Sequence, residues 1–145
     1  MKKLIIVLGL MLFSFASAAD WFEIMDKLYL DLDTIEFNQR KKQVTFWFKA
    51  LNKDKELEFE GKKIWFTVDK YTIDCKNKTL QDKAFYIFDM KGSQIAGTHE
   101  PTSEARPIVP GTRADGWEML MCRLMQANPK VKKFDKYTSV HRFEK

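Results

Sequence analysis

The chain has only two cysteines, Cys75 and Cys122, and their role constrains the fold more than any other feature of the sequence. Cys75 ends a segment that alternates as β-strands do, and Cys122 lies in a segment with the spacing of an amphipathic helix. If the chain reaches an oxidising compartment, the two thiols are expected to form a disulfide. The rival interpretation, a redox or metal-binding thiol, lacks a C-x-x-C motif and clustered ligands.

The N-terminus has the pattern of a secretory signal peptide. Two lysines precede an unbroken apolar run from Leu4 to Phe13, and small residues follow it. This pattern predicts a signal peptide over residues 1–19, with cleavage before Ala19 or Asp20. The apolar run is shorter than the roughly 20 residues that span a bilayer, so no transmembrane segment is expected. The mature protein is therefore expected to be exported.

Segments with the two-residue alternation of β-strands dominate from Trp21 to about Thr98. The predicted strands lie at 21–24, 29–36, 43–50, 64–75, 83–90 and 95–98. A turn with Gly92, which can adopt a positive φ, joins the last two strands into a hairpin. The strand at 83–90 is apolar on both faces, as expected of a central strand that is covered on both sides.

Trp47 interrupts the polar face of the strand at 43–50. Val44, Phe46 and Phe48 share the apolar face, whereas Trp47 stands among the polar residues opposite. A tryptophan in such a position is either a partly covered packing residue or part of a ligand site. We therefore keep Trp47 as a candidate partner-binding residue.

The strand at 64–75 changes its apolar phase. Ile64, Phe66 and Val68 occupy even positions, whereas Tyr71, Ile73 and Cys75 occupy odd positions. A regular strand cannot bury both sets on one face. We therefore expect a bulge or a break near Asp69 and Lys70.

A single helix is predicted after a proline-containing connector. The segment 99–110 contains three prolines, which argues against regular strand pairing. Thr112 and Asp115 resemble a capping box and predict a helix over about 113–126. Its apolar stripe consists of Trp117, Leu120, Met121 and Leu124. Cys122 is expected on the flank of this stripe. The fold class is thus α+β: an antiparallel β-sheet with a C-terminal α-helix packed across it and one disulfide.

The sequence contains no motif that we would assign to catalysis or to cofactor binding. The two histidines, His99 and His141, stand in separate segments and lack the spacing of metal ligands. No nucleophile elbow and no phosphate-binding glycine loop is present. We therefore expect a protein that is not an enzyme and has no cofactor or metal. A hydrolase acting through an unrecognised carboxylate pair is the minor alternative.

Residues 128–145 form a basic C-terminal tail with six basic and two acidic side chains. Its candidate partner-binding residues are Lys130, Lys132, Lys133, Lys136 and Arg142. The tail is either a late edge strand or an arm without regular structure. It serves either as a solvated extension or as a contact for an anionic glycan or a membrane surface. Nucleic acid is not expected as a partner, because the chain is exported and its net charge is modest.

Several short segments together resemble a known family. They are WFEI (21–24), YLDLDTI (29–35), YTIDC (71–75), YIFDMKGSQI (86–95) and PIVPG (107–111), followed by a helix that contains Cys122. In this order they resemble the surface-adhesin protein E family of bacterial exported proteins. The resemblance covers nearly all of residues 21–122, and the two cysteines with the connector between them are its most specific part.

The resemblance implies an α+β domain over residues 20–127 in a periplasmic, secreted or surface protein of a bacterium. It also implies a protein partner, namely a host matrix protein, and no catalysis. No cysteine stands near the predicted cleavage site, so lipid anchoring at that site is not expected. The alternative function is a small periplasmic inhibitor or accessory subunit of an envelope enzyme.

Overall fold

The computed structural model describes residues 21–52, 57–100, 103–130 and 132. Within these ranges the chain forms nine β-strands and one α-helix. The strands are β1 (Trp21–Met25), β2 (Leu28–Asp31), β3 (Glu36–Asn38), β4 (Gln43–Leu51), β5 (Glu58–Phe59), β6 (Lys62–Asp74), β7 (Thr79–Asp89), β8 (Gln94–Thr98) and β9 (Arg106–Pro107), and the helix is α1 (Arg113–Ala127). The predicted signal peptide and residues Lys133, Lys136 and Arg142 of the tail lie outside the described residues.

All strand pairs are antiparallel, and the main sheet has the order β1-β2-β4-β6-β7-β8. β2 and β3 pair with the same strand, β4, at different positions along it. A 3-10 turn at Leu32–Thr34 separates them, because the Asp31 carboxylate accepts a hydrogen bond from the Asp33 amide at 3.1 Å. The predicted strand at 29–36 is therefore two short strands. The predicted antiparallel sheet itself is confirmed.

A register shift occurs at the position predicted near Asp69 and Lys70, but the predicted bulge or break of the 64–75 strand itself is wrong, because the extra residue belongs to the neighbouring strand. Between Lys70 and Tyr71 the register of β6 against β7 shifts, and Lys83 of β7 is the residue without a partner. The register of β6 against β4 stays regular through the same positions. The two apolar sets of β6 consequently point to opposite faces of the sheet.

The connector after β8 pairs with the sheet at two residues, contrary to the expectation from its prolines. Arg106 and Pro107 pair with the first residues of β7, and the Ile108 amide donates to the Lys78 carbonyl at 2.9 Å. Proline is tolerated on an edge strand because only one side of that strand needs its N–H groups. The expected absence of pairing was therefore wrong for β9.

α1 begins where the capping pattern predicts. The Thr112 hydroxyl accepts a hydrogen bond from the Asp115 amide at 3.4 Å, and the Asp115 carboxylate accepts one from the Gly111 amide at 2.9 Å. These bonds satisfy backbone donors that have no partner within a helix. The helix ends at Ala127, one residue beyond the predicted end.

The buried side of α1 is rotated relative to the predicted stripe. Trp117 and Met121 are buried as predicted, but Leu120 is 39% exposed. Cys122 and Met125 are buried in its place, so Cys122 lies within the buried side and not on its flank. The rotation follows from the disulfide, because a helix tied through Cys122 must turn that residue toward the sheet.

Trp117 is the main contact between α1 and the sheet. Its ring centroid lies 4.7 Å from that of Phe48, 5.1 Å from Tyr71 and 6.2 Å from Phe46. The core beneath the helix is completed by Leu30, Ile35, Phe37, Val44, Ile73, Leu80, Met121, Cys122 and Met125. The core thus occupies one face of the sheet, between β2, β4, β6 and α1.

Cys75 and Cys122 form the predicted disulfide, with their Cα atoms 5.8 Å apart. It joins the end of β6 to the middle of α1 across a sequence separation of 47. The predicted fold class, an antiparallel sheet with a helix packed across it and one disulfide, is therefore confirmed. None of the helices in the described ranges has the length and hydropathy to span a bilayer.

Replacing both cysteines by alanine should lower the free energy of unfolding by about 2–5 kcal/mol, because the unfolded chain regains the freedom of a long loop. Urea unfolding of the oxidised wild type and the double variant measures this difference. Wild type in reductant should match the double variant in oxidising buffer. A wild type whose unfolding midpoint does not move on reduction would contradict the stabilising role.

Met121→Ala should destabilise the fold by about 2–5 kcal/mol, because Met121 is fully buried and its truncation leaves a cavity. Leu120→Ala is the matched control at the adjacent position and should cost less than about 1 kcal/mol. Urea unfolding of both variants separates the observed rotation of α1 from the predicted one. Equal losses in the two variants would favour the predicted stripe.

Candidate functional site

The sheet face opposite α1 carries a continuous set of aromatic and basic side chains. Residues that pair directly across antiparallel strands share a face, so the register assigns this set without ambiguity. We call it the aromatic face, and it consists of Trp21, Tyr29, Trp47, Lys49, Phe66, Val68, Lys70, Tyr86 and Phe88. Every member is partly exposed. This face includes Trp47, the candidate that the sequence singled out.

Lys49 lies at the centre of one half of the aromatic face. Its ammonium group is 4.7 Å from the ring centroid of Trp21, 4.9 Å from that of Tyr29 and 5.9 Å from that of Phe66. Such distances allow cation–π attraction to all three rings. Burial by these neighbours lowers the pKa of Lys49. The rings thus hold a cation in a partly dehydrated position on the surface.

Trp47 lies at the centre of the other half of the aromatic face. Its ring is stacked on Tyr86 with a centroid distance of 6.0 Å, and the Lys70 ammonium lies 5.4 Å from its centroid. The Tyr86 hydroxyl contacts the imidazole of His99 and lies 2.9 Å from its Nε2. Gly97 pairs with Tyr86, and a Cβ at that position would approach the tyrosine ring to 2.4 Å. Glycine at 97 therefore lets the Tyr86 ring lie against the backbone of β8.

Phe66 and Phe88 connect the two halves of the aromatic face at the end of the β6–β7 pair that lies away from the turn joining the two strands. Their rings are stacked with a centroid distance of 4.5 Å. The exposed Trp65 packs edge-on against Phe66 at 5.1 Å. Aromatic pairs of this kind add specific geometry to the burial of apolar area. The second apolar set of β6 is thus accounted for by packing on this face.

A groove with basic walls adjoins the aromatic face and has a volume of about 1030 Å³. We call it the basic groove, and its lining residues are Glu36, Phe37, Asn38, Gln39, Arg40, Lys41, Gln43, Thr45, Thr72, Gln81, Lys83, Pro129, Lys130 and Lys132. Thr45 and Thr72 lie two residues from Trp47 and Lys70 on the same strands, so groove and aromatic face share one side of the sheet.

The chain after α1 is attached to the sheet at the basic groove. The Gln39 side-chain amide donates to the carbonyls of Met125 and Asn128, at 3.2 and 3.0 Å. The Phe37 amide donates to the Lys132 carbonyl at 2.6 Å. These bonds place Lys130 and Lys132, two of the predicted tail residues, at the groove wall. The remaining tail candidates lie outside the described residues, and Trp47 does not line the groove.

Sequence reasoning found Trp47 but missed the rings around it. Two signals pointed to them: the apolar character of both faces at 83–90, and the apolar phase change at 64–75. The first was interpreted as a central strand covered on both sides, and the second as a bulge or a break in the strand. The even-numbered apolar residues of β6 and β7, Phe66, Tyr86 and Phe88, belong to a second apolar face.

Asp69 and Asp82 lie on the helix side of the sheet, on the paired strands β6 and β7. The Thr67 hydroxyl donates to Asp69 at 3.1 Å, and Asp82 accepts from the Ser103 hydroxyl at 2.7 Å and forms an ion pair with Arg106. Burial raises the pKa of Asp69 to about 6; the hydrogen bond from Thr67 opposes this shift and the charge of Asp82 adds to it. Neither carboxylate lines the basic groove. The pair therefore gives no support to the hydrolase alternative.

No group of three or more potential metal ligands occurs among the residues that the structure describes. The polar groups that do converge are the cations of the basic groove and the two lysines of the aromatic face. The arrangement is that of a binding surface, because its side chains offer apolar area, positive charge and hydrogen-bond donors.

The fold and this surface define a class of protein: an antiparallel sheet whose one face is covered by a helix that a disulfide ties to it, and whose other face is rich in aromatic and basic residues. Residues 21–123 match the model of the family described as Surface-adhesin protein E. The chain therefore belongs to the surface-adhesin protein E family and is assigned by membership to surface adhesins.

Solved structures of similar fold come from Haemophilus influenzae. The crystal structure of protein E from the non-typeable organism has a TM-score of 0.58 and 14% sequence identity, with 86% of this chain and 87% of that chain covered. Crystal form II of Haemophilus influenzae protein E has a TM-score of 0.56 and 14% identity, covering 72% of this chain and 87% of that chain. At such identities the likeness concerns the fold. No curated protein sequence matches this chain significantly.

Asp69→Asn should stabilise the fold at neutral pH. Because the folded chain holds the Asp69 proton more tightly than the unfolded chain, ionisation costs stability as the pH rises from about 4 to about 6. The variant should gain about 1–2 kcal/mol over wild type at pH 7, after allowance for solvent screening, and little at pH 4. Denaturant unfolding at both pH values measures the difference.

Asp33→Asn, on the exposed 3-10 turn, is the matched control for this measurement. It makes the same substitution at an exposed position. If the stability difference of the Asp69 variant from wild type were the same at both pH values, the raised pKa of Asp69 would be wrong.

Proposed function

We propose that this protein is an exported, non-enzymatic adhesin that binds a host matrix protein through the aromatic face. The observation that carries the proposal is the concentration of Trp47, Tyr86, Phe66 and two lysines on the sheet face that α1 leaves open. Membership of the surface-adhesin protein E family supports it. The signal peptide predicted over residues 1–19 agrees with export to the periplasm, the cell surface or the medium.

The composition of the aromatic face favours a protein partner. Tryptophan and tyrosine are among the residues that dominate the energetics of protein interfaces, because they bury large areas at little entropic cost. Here the rings of Trp47 and Tyr86 are already stacked on each other, and the missing side chain at Gly97 leaves room for the Tyr86 ring against β8. A partner would therefore meet a largely preformed surface and lose little affinity to ordering it.

The charges of the aromatic face indicate which partner surfaces fit. Lys49 and Lys70 each stand over a ring and form no ion pair within the described part of the chain. An acidic segment of a matrix protein would pair with these ammonium groups while its apolar side chains pack on the rings. The lowered pKa of Lys49 reflects partial dehydration, and a carboxylate from a partner would compensate for it.

The experiment is a binding measurement of the mature protein against a panel of purified matrix proteins, including laminin, fibronectin, vitronectin and collagen. The double variant Trp47→Ala/Lys70→Ala removes the stacked ring and its cation. We expect binding of at least one matrix protein by wild type, and an affinity weaker by about tenfold or more in the variant, as for hot-spot residues.

Met119→Ala/Leu120→Ala is the matched control, because it truncates two exposed apolar side chains on α1, at the opposite side of the molecule. Circular dichroism and thermal unfolding confirm that both variants are folded. The proposal fails if wild type binds none of the panel, or if the control loses as much affinity as the aromatic-face variant.

A further inference from the structure

We propose that the basic groove binds a linear sulfated glycan. Five cations line it, from Arg40, Lys41, Lys83, Lys130 and Lys132, against a single carboxylate, that of Glu36. The groove therefore carries an excess of four positive charges. Within the described part of the chain none of these cations forms an ion pair, so their charge is available to a ligand.

The cations come from three separate parts of the fold. Arg40 and Lys41 lie in the turn between β3 and β4, Lys83 is the extra residue of the β7 irregularity, and Lys130 and Lys132 follow α1. The hydrogen bonds of Gln39 to the end of α1 and of Phe37 to Lys132 hold the third group against the first. The positive charges thus surround a defined concavity and are not spread along a free arm.

The floor of the groove consists of uncharged hydrogen-bonding groups. The hydroxyls of Thr45 and Thr72 lie 2.8 Å apart, and the amides of Gln43 and Gln81 stand beside them on the neighbouring positions of the sheet. Amides and hydroxyls donate to and accept from the hydroxyl groups of sugars. Walls that bind sulfate and a floor that binds hydroxyls together match a sulfated sugar chain.

The shape of the groove favours a chain over a flat surface. Its volume of about 1030 Å³ lies at the upper end of the range for small-molecule sites, so several sugar units fit. The headgroup plane of a bilayer offers anionic groups for the cations, whereas a sugar chain also offers hydroxyl groups for the threonines and glutamines. We therefore assign an extended polysaccharide, with an anionic membrane as an outcome that the test distinguishes.

This proposal does not depend on the proposed function of the aromatic face. Sulfated glycan chains and matrix proteins occur together outside animal cells, and groove and aromatic face lie side by side on one surface of the sheet. Each surface is nevertheless removed by its own substitutions, so the failure of one proposal leaves the other unaffected.

The test measures binding of the mature protein to a heparin-derived oligosaccharide by isothermal titration calorimetry. Wild type should bind it, and the affinity should fall steeply as salt rises from about 0.05 M to about 0.3 M. The variant Lys83→Gln/Lys130→Gln/Lys132→Gln should bind about tenfold or more weakly. The variant Lys62→Gln/Lys63→Gln/Lys91→Gln removes the same charge from exposed positions remote from the groove and should bind as wild type does.

Two further arms identify the ligand chemistry. The desulfated oligosaccharide should bind at least about tenfold more weakly than the sulfated one, because the cations lose their partners. Vesicles of phosphatidylglycerol should bind less strongly than the sulfated chain, and should not compete with it. Stronger binding to the vesicles would replace the glycan by a membrane surface and overturn the proposal.

A further measurement uses only the wild-type protein, so its result does not depend on whether the variants fold. Acetylation of lysines in wild type, followed by mass spectrometry, should show Lys83 and Lys130 protected by the sulfated oligosaccharide and Lys62 and Lys91 unprotected. Equal protection at all four positions, equal loss of affinity in the two triple variants, or no binding by wild type would each overturn the proposal.

Discussion

The contact between Trp117 and the centre of the sheet is the interaction on which the rest of the structure depends. Its indole packs against Phe46, Phe48 and Tyr71, which lie on the adjacent inner strands β4 and β6. The disulfide holds α1 in the rotation that this contact requires. A small domain gains much of its stability from burying one face in this way, since its total core is limited. Because α1 covers only this face, the opposite face of the sheet stays partly exposed.

The strand β6 contributes apolar residues to both faces of the sheet. Its apolar residues Tyr71 and Ile73 face the core, and its apolar residues Phe66 and Val68 face the other side, within a single strand. The irregularity at Lys83 lies where the two assignments meet. β-bulges commonly redirect side chains near functional sites, and here the redirected residue is a cation at the groove wall.

Much of the fold followed from local patterns, and the failures have physical causes. Alternation at 43–50 and the cap at Thr112 predicted β4 and α1 closely, because both depend on short-range periodicity and hydrogen bonding. The rotation of α1 was mispredicted since Leu120 and Met125 are equally apolar, and only the tertiary link at Cys122 distinguishes them. Alternation within a strand does not specify its register against the neighbouring strands. The sequence therefore did not predict which rings surround Trp47, nor that Lys83 lines the same groove as Lys130 and Lys132.

The hydrogen bond from the Phe37 amide to the Lys132 carbonyl affects whether the sheet can pair with a second copy of the protein. β3 is a short strand at the margin of the sheet, and an unpaired amide there is a template on which a second molecule can add a strand. In this protein the Phe37 amide is already paired, because it donates its hydrogen bond to the backbone carbonyl of Lys132. The segment that brings positive charge to the groove therefore also protects the sheet margin against the addition of a strand from a second molecule.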